Sequence, residues 1–318
     1  MTNRTTSRVL AAATALLALG AGAGCSTGGP AGADPQRVDV VAAFYPLQFL
    51  AERIGGDAVR VTNLAKPGAE PHDLELTPSQ VGQVTEAELI VYLKGFQPAV
   101  DDAVAQNGGD RTFDVTSVQP LLDATAGGHN HEGEGEGEHA EAENAGGKDP
   151  HVWLDPTRLA AIGDQLAQRL GKADPGHAGD YTSRATALRA DLTALDGEFT
   201  QGLATCQRRE IVTSHAAFGY LADRYRLDQV GITGLSPDVE PSPQRLAQVI
   251  EEAKEHKTST IFFETLVSPK VAETIAGQVG AKTAVLDPIE GLAAGSNGDY
   301  VSVMRTNLQA LRTALSCS

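Results

Sequence analysis

The stretch from Asp174 to Ala204 constrains the fold more than any other. Asp174-Pro175 reads as a helix opening, because proline is tolerated in the first turn, where its missing N–H has no partner to lose. Beyond it, Tyr181, Leu188, Leu192, Leu195, Phe199 and Leu203 recur at seven-, four- and three-residue steps and form one apolar stripe. A helix over Pro175–Ala204 would span on the order of 45 Å at about 1.5 Å per residue, which is longer than one small domain needs. Its simplest use is to bridge two domains; a long helix lying along a single domain is the alternative.

The sequence on either side supports the bridge. Before it, Val38–Phe44, Val59–Leu64, Leu89–Leu93 and Thr112–Val115 read as short apolar strands. They are separated by helical segments at Pro46–Ile54, from Pro78 and at Gln97–Gln106, and Pro156–Leu170 then leads into the long helix. After it, strands at Glu210–Ser214, Asp228–Ile232, Thr260–Glu264 and Thr283–Leu286 alternate with helices at Phe218–Tyr225, Pro243–His256 and Pro269–Val279, and Asp299–Leu315 closes the chain. Strand–helix alternation indicates parallel sheets covered on both faces. The expected fold is α/β: two parallel-sheet lobes joined by one long backbone helix. At 318 residues the chain has room for both. The expected boundaries are 1–24 for an export signal, 25–37 for a tether, 38–173 for the first lobe, 174–204 for the linking helix and 205–318 for the second lobe.

Arg4 and Arg8 precede an apolar run, Val9–Leu19, that is too short for a stable membrane span, and small residues follow up to Cys25. This looks like a bacterial lipoprotein signal, with Cys25 as the lipid-bearing first residue of the mature chain and the Ser/Gly-rich segment after it as tether. Gly22 stands three before the cysteine, where leucine is common; plain secretion is the alternative. In an exported protein the other two cysteines, Cys206 and Cys317, form a candidate disulfide, with two separate buried thiols as the alternative. The net charge of −16 argues against a nucleic-acid partner, because phosphate binding needs a basic face.

Part of that charge is local. Six glutamates lie between Glu132 and Glu143, interleaved with His129, His131 and His139 in a Gly/Ala background. Residues 128–147 have almost no apolar surface to offset the entropy of ordering them, so a disordered loop is expected. It reads either as a solvated acidic linker or as a collector of divalent metal. His177 and His256 fall on helix surfaces. His72, His151 and His215 fall in loops beyond strands or between elements, as does Asp287. Ligands of open α/β sheets bind beyond the carboxyl ends of the strands. Three imidazoles and a carboxylate make a tetrahedral zinc set, whereas any one of these histidines alone reads as an ordinary loop residue.

The segments PGAEPHDLELTPSQ, DPHVWLDP, IVTSHAAFGYLADRY, GLSPDVEPSPQRLAQVIEEAK, IFFETLVSPKVAETIA and VLDPIEGL resemble those of the zinc-binding lipoproteins of bacterial ABC importers, the cluster A-I (cluster 9) metal receptors. The resemblance runs from about Val38 to the last helix. It implies two α/β lobes on a rigid helix with the metal in the cleft, and it implies His72, His151 and His215 as ligands. Asp287 takes the fourth position, with Glu70 or water as substitutes in some zinc members. It also implies an extracytoplasmic, membrane-anchored monomer that binds Zn²⁺ as cargo and delivers it to a permease and its ATPase, with no chemistry on a substrate. Histidine in the third position and the His/acidic loop both point to zinc over manganese or iron. A secreted zinc hydrolase is the rival class, against which stands the lack of an HExxH motif. With no pair of lobe-crossing strands to act as a hinge, small movements are expected on metal loss, with local rearrangement near His72 and His151.

Overall fold

A computed structural model describes residues 37–124 and 147–318. The expected signal, Cys25, and the loop histidines His129, His131 and His139 lie outside the described residues. The first sheet is built from β1 (Val38–Ala42), β2 (Val59–Asn63), β3 (Leu89–Tyr92) and β4 (Thr112–Asp114), with α1 (Tyr45–Gly55), α2 (Pro78–Glu86) and α3 (Pro98–Asn107) between them. The strands are parallel in the order β2-β1-β3-β4, with Val41 of β1 registered on Thr62 of β2 and Ile90 of β3. The second sheet repeats this order as β6-β5-β7-β8. Its strands are β5 (Glu210–Thr213), β6 (Asp228–Gly231), β7 (Thr260–Phe263) and β8 (Lys282–Val285); its helices are α6 (Gly219–Tyr225), α7 (Pro243–Glu255) and α8 (Lys270–Val279).

Three further helices complete the chain. α4 (Pro156–Ala173) starts at Asp155, whose carboxylate accepts from the backbone N–H groups of Thr157 and Arg158 and so satisfies two free donors of the first turn. α9 (Tyr300–Leu315) is capped by Asp299 in a reciprocal box with Ser302. Between them, α5 spans Ala178–Gly202. It begins three residues later than the sequence suggests. Pro175–His177 instead forms a single 3₁₀ turn, because the Asp174 carboxylate is taken up by His177 Nδ1 at 2.6 Å and the Tyr181 hydroxyl at 2.8 Å. The stripe Tyr181, Leu188, Leu192, Leu195, Phe199 and Leu203 is fully buried, as its periodicity requires.

That stripe helps explain the arrangement of the core. One continuous apolar cluster takes in β1, β3, α1 and α4 from the first half, the length of α5, and Ile211, Phe218, Tyr220, Phe262, Ile289 and Tyr300 from the second. A smaller cluster lies under α7 and α8. Cys206 and Cys317 are disulfide-bonded, tying the segment after α5 to the chain end beyond α9. Among the described residues no helix is long and apolar enough to cross a membrane.

Candidate metal centre

The first imidazole comes from the loop after β2. Its turn is formed by the Glu70 carboxylate, which accepts from the backbone N–H of His72 at 2.9 Å and of Asp73 at 3.4 Å. Gln97, itself buried, donates to Pro71 O at 3.1 Å and Ala43 O at 3.4 Å, fixing the loop to the end of β1. The His72 ring stands edge-on to Phe96, with centroids 4.6 Å apart.

His151 sits in the Pro-bounded segment before α4. Asp149 Oδ1 accepts from both its backbone N–H at 2.9 Å and its Nδ1 at 2.8 Å. The next turn carries Trp153, whose indole N–H donates to Pro288 O at 2.7 Å, while the Tyr300 hydroxyl donates to Trp153 O at 2.6 Å. His215 follows β5, and its Nδ1 meets Glu264 Oε1 at 2.9 Å at the end of β7. With Nδ1 of each ring donating to a carboxylate, Nε2 of His151 and of His215 is left facing the cleft. This arrangement fixes the tautomer and makes the free nitrogen more basic.

The fourth group is Glu290. One oxygen, Oε1, lies 3.4 Å from His72 Nε2 and 3.1 Å from Nε2 of both His151 and His215. The four candidate ligand atoms all lie within 4.8 Å of one another, and all four residues are buried. A tetrahedron with metal–ligand bonds of 2.0–2.1 Å has edges of about 3.3 Å, so the carboxylate–imidazole separations match the edges that a small divalent ion imposes. Burial alone would push His215 down. The carboxylates of Glu290 and Glu264 outweigh it and hold the ring up at about 10. Burial likewise would raise Glu290, but the charge of His215 and the hydrogen bonds of all three rings hold it well below the usual carboxylate range. His72, whose Nε2 meets the Glu290 carboxylate at the longer distance of 3.4 Å, is pushed down by its burial.

The cluster therefore brings together His72, His151 and His215 as read from the sequence, and replaces the expected carboxylate. Asp287 is not in the group. Its Oδ1 accepts from Ile289 N at 2.7 Å and its Oδ2 from the Thr265 hydroxyl at 2.8 Å, so both oxygens are engaged within the second lobe. Glu70 reaches 4.0 Å from His72 Nε2, but its oxygens hold the turn, and burial pushes its carboxyl up to about 8. Asp149, Glu264 and Tyr220 also went unnoticed in the sequence. Tyr220 donates to Asp149 O at 2.9 Å and accepts from Leu122 N at 2.8 Å, tying α6 to the segments on either side of residues 125–146. Those flanks pair with each other, Asp123 against Lys148. For Glu264 a signal existed: it stands at the end of a strand, where His215 also stands.

The family model described as "Zinc-uptake complex component A periplasmic" matches residues 40–314. The chain belongs to that family. One relative is the "High-affinity zinc uptake system protein ZnuA" of Bacillus subtilis (strain 168), 35% identical over 297 residues that cover 91% of each chain. Another is the "Zinc-binding lipoprotein AdcA" of Streptococcus pneumoniae serotype 4, 35% identical over 288 residues; the match covers 87% of this chain and 55% of that longer protein. Among solved structures, the Zn(II)-bound ZnuA-like domain of Streptococcus pneumoniae AdcA aligns with a TM-score of 0.71 at 32% identity, covering 88% of this chain and 99% of that one. The two-lobed architecture is thus that of the zinc-uptake family's receptors.

Proposed function

We propose that this chain is the extracytoplasmic receptor of a zinc ABC importer, binding Zn²⁺ through His72, His151, His215 and Glu290 and delivering it to a permease driven by an ATPase. The observation that carries this reading is the set of 3.1–3.4 Å separations between one carboxylate oxygen and three imidazole nitrogens in a buried pocket. Three neutral nitrogens with one oxygen suit zinc, whereas manganese, a harder ion, favours more oxygen. The names of the relatives point the same way. A four-residue shell leaves no coordination position for an attacking water, which favours capture over hydrolysis.

The same reading assigns the rest of the chain. Residues 1–24 act as the export signal, and Cys25 carries the lipid that holds a monomeric receptor at the outer face of the cytoplasmic membrane. The expected lobes are 38–173 and 205–318, with 174–204 joining them. His129, His131 and His139 form an accessory collector that binds zinc weakly and raises its local concentration. Zinc titration against a competing chelator tests the centre: His151→Ala and His215→Ala should each abolish the tight equivalent, and unchanged affinity in both would refute it. Deleting residues 128–144 should remove weak equivalents and keep the tight one; loss of the tight site would sink the collector role.

A further inference from the structure

Four non-glycine residues among those described have a left-handed backbone: Arg226, Lys257, Ile289 and Ser316. Three of them close helices: Arg226 and Ser316 cap α6 and α9, and Lys257 directly follows the cap of α7. At helix ends this conformation is a common stop signal. Ile289, at φ 59°, ends no helix. It is β-branched, completely buried, and adjacent to Glu290. For a β-branched side chain this backbone is a genuine outlier, and it persists only where the surroundings over-determine it.

The surroundings do so here. Asp287 Oδ1 accepts from the strained residue's own N–H at 2.7 Å, and the other oxygen is held by Thr265, the residue after the Glu264 that braces His215. Asn307 of α9, itself buried, accepts from Asp287 N at 2.9 Å and donates to Asp287 O at 2.7 Å. Trp153 holds Pro288 O from the turn that carries His151. Every residue from Asp287 to Ile289 is therefore tethered, and the direction in which the chain leaves Ile289 sets the direction of Glu290.

We infer that Asp287 is a positioning residue for the metal centre: it locks Ile289 in the left-handed conformation that aims the Glu290 carboxylate at the three imidazoles, and it does not itself touch the metal. This rests on the reading of Glu290 as a zinc ligand. An amide in place of the carboxylate keeps an oxygen that accepts from Ile289 N, and its NH₂ can donate to Thr265; a methyl group keeps neither. Removing the partner that orients a ligand costs about 10–100-fold in metal affinity.

The test uses the mature chain with Zn²⁺ in chelator competition and Co²⁺ as a spectroscopic probe of the ligand set. Asp287→Ala should lose at least about tenfold in zinc affinity. Asp287→Asn should stay within about threefold and give the cobalt absorption spectrum of the parent protein. Asp287→Asn losing as much as Asp287→Ala, with a changed cobalt spectrum, would make Asp287 a direct ligand and overturn the inference; so would Asp287→Ala binding as the parent does. If Asp287→Ala does not fold, as judged by circular dichroism of the metal-free protein, the affinity and spectrum of Asp287→Asn still decide. Glu290→Ala separates the two levels: undiminished affinity in that variant removes the four-ligand reading itself, whatever Asp287 does.

Discussion

Gly219, the first residue of α6, offers a way to disturb the centre without altering any side chain that touches it. A Cβ placed there would stand 2.5 Å from Asp149 Oδ2. Ordinary contact begins near 3.4 Å, so the carboxylate must retreat by about 0.9 Å. Its other oxygen accepts from His151 N and Nδ1 at 2.9 and 2.8 Å. If the whole carboxylate moves by that amount away from the ring, the Nδ1 bond stretches to about 3.7 Å, beyond hydrogen-bond range. His151 then loses the brace that fixes its tautomer. Gly219→Ala should weaken zinc binding by about 10–100-fold, equivalent to roughly 1.4–2.8 kcal/mol. Chelator competition gives the affinity, and thermal melting of the metal-free chain shows whether the lobe remains folded. Affinity equal to that of the parent, with Gly219→Ala folded, would refute the claim that Asp149 orients His151.

Other predictions follow from the same contacts. The carboxylates around His215 hold it up at about 10 in the metal-free protein, so it carries a proton at neutral pH that zinc must displace. Zinc binding should therefore release at least about one proton, and affinity should rise about tenfold per pH unit between pH 7 and 9; calorimetry in buffers of different ionisation enthalpy measures the release, and zero release would contradict the site's electrostatics. The same raised value stabilises the metal-free fold fully below His215's ordinary 6.5, and that contribution is lost as pH rises through about 10. The melting temperature of the metal-free chain should fall on that side; a flat profile from pH 7 to 10 would contradict it. Tyr220→Phe deletes the donor to Asp149 O and the acceptor for Leu122 N, and should cost about 1–3 kcal/mol in urea unfolding. Replacing Cys206 and Cys317 by Ser opens a loop with a sequence separation of 111 and should cost about 2–5 kcal/mol by the same measurement.

The fold was legible because both of its periodicities are strong. Continuous apolar runs such as LIVY at Leu89–Tyr92 can be buried on both faces only in a covered parallel sheet, and the stripe from Tyr181 to Leu203 fits a single helix. The three histidines were legible for a related reason: strand ends of parallel sheets point at clefts, and each of these rings stands in a loop rather than on a helix face. Glu290 was not, because its approach depends on a backbone reversal at Ile289 that an isoleucine gives no hint of; a glycine there would have marked the turn. Asp287 was the more visible carboxylate, being nearer the strand end and followed by proline. Asp149 lies only two residues before His151, a spacing that acquires meaning only in the fold, where its carboxylate turns back on the backbone nitrogen and Nδ1 of that residue.

The uninterrupted apolar core has a consequence for how cargo leaves. Swinging the two halves apart like jaws would expose the interior faces of Phe44, Phe199, Tyr300 and their neighbours to water at once. At about 25 cal/mol per Å² of apolar surface, a few hundred square ångströms is already prohibitive for an exchange that must recur. The economical exit is local. His72 is the most exposed residue of the four-residue cluster, 9% against 1% or less for the others, and its loop is held by the side chains of Glu70 and Gln97. The release rate of the ion is then set by how fast a short stretch of chain frays, and a docking partner that competes for the Glu70 and Gln97 contacts could empty the receptor without bending it.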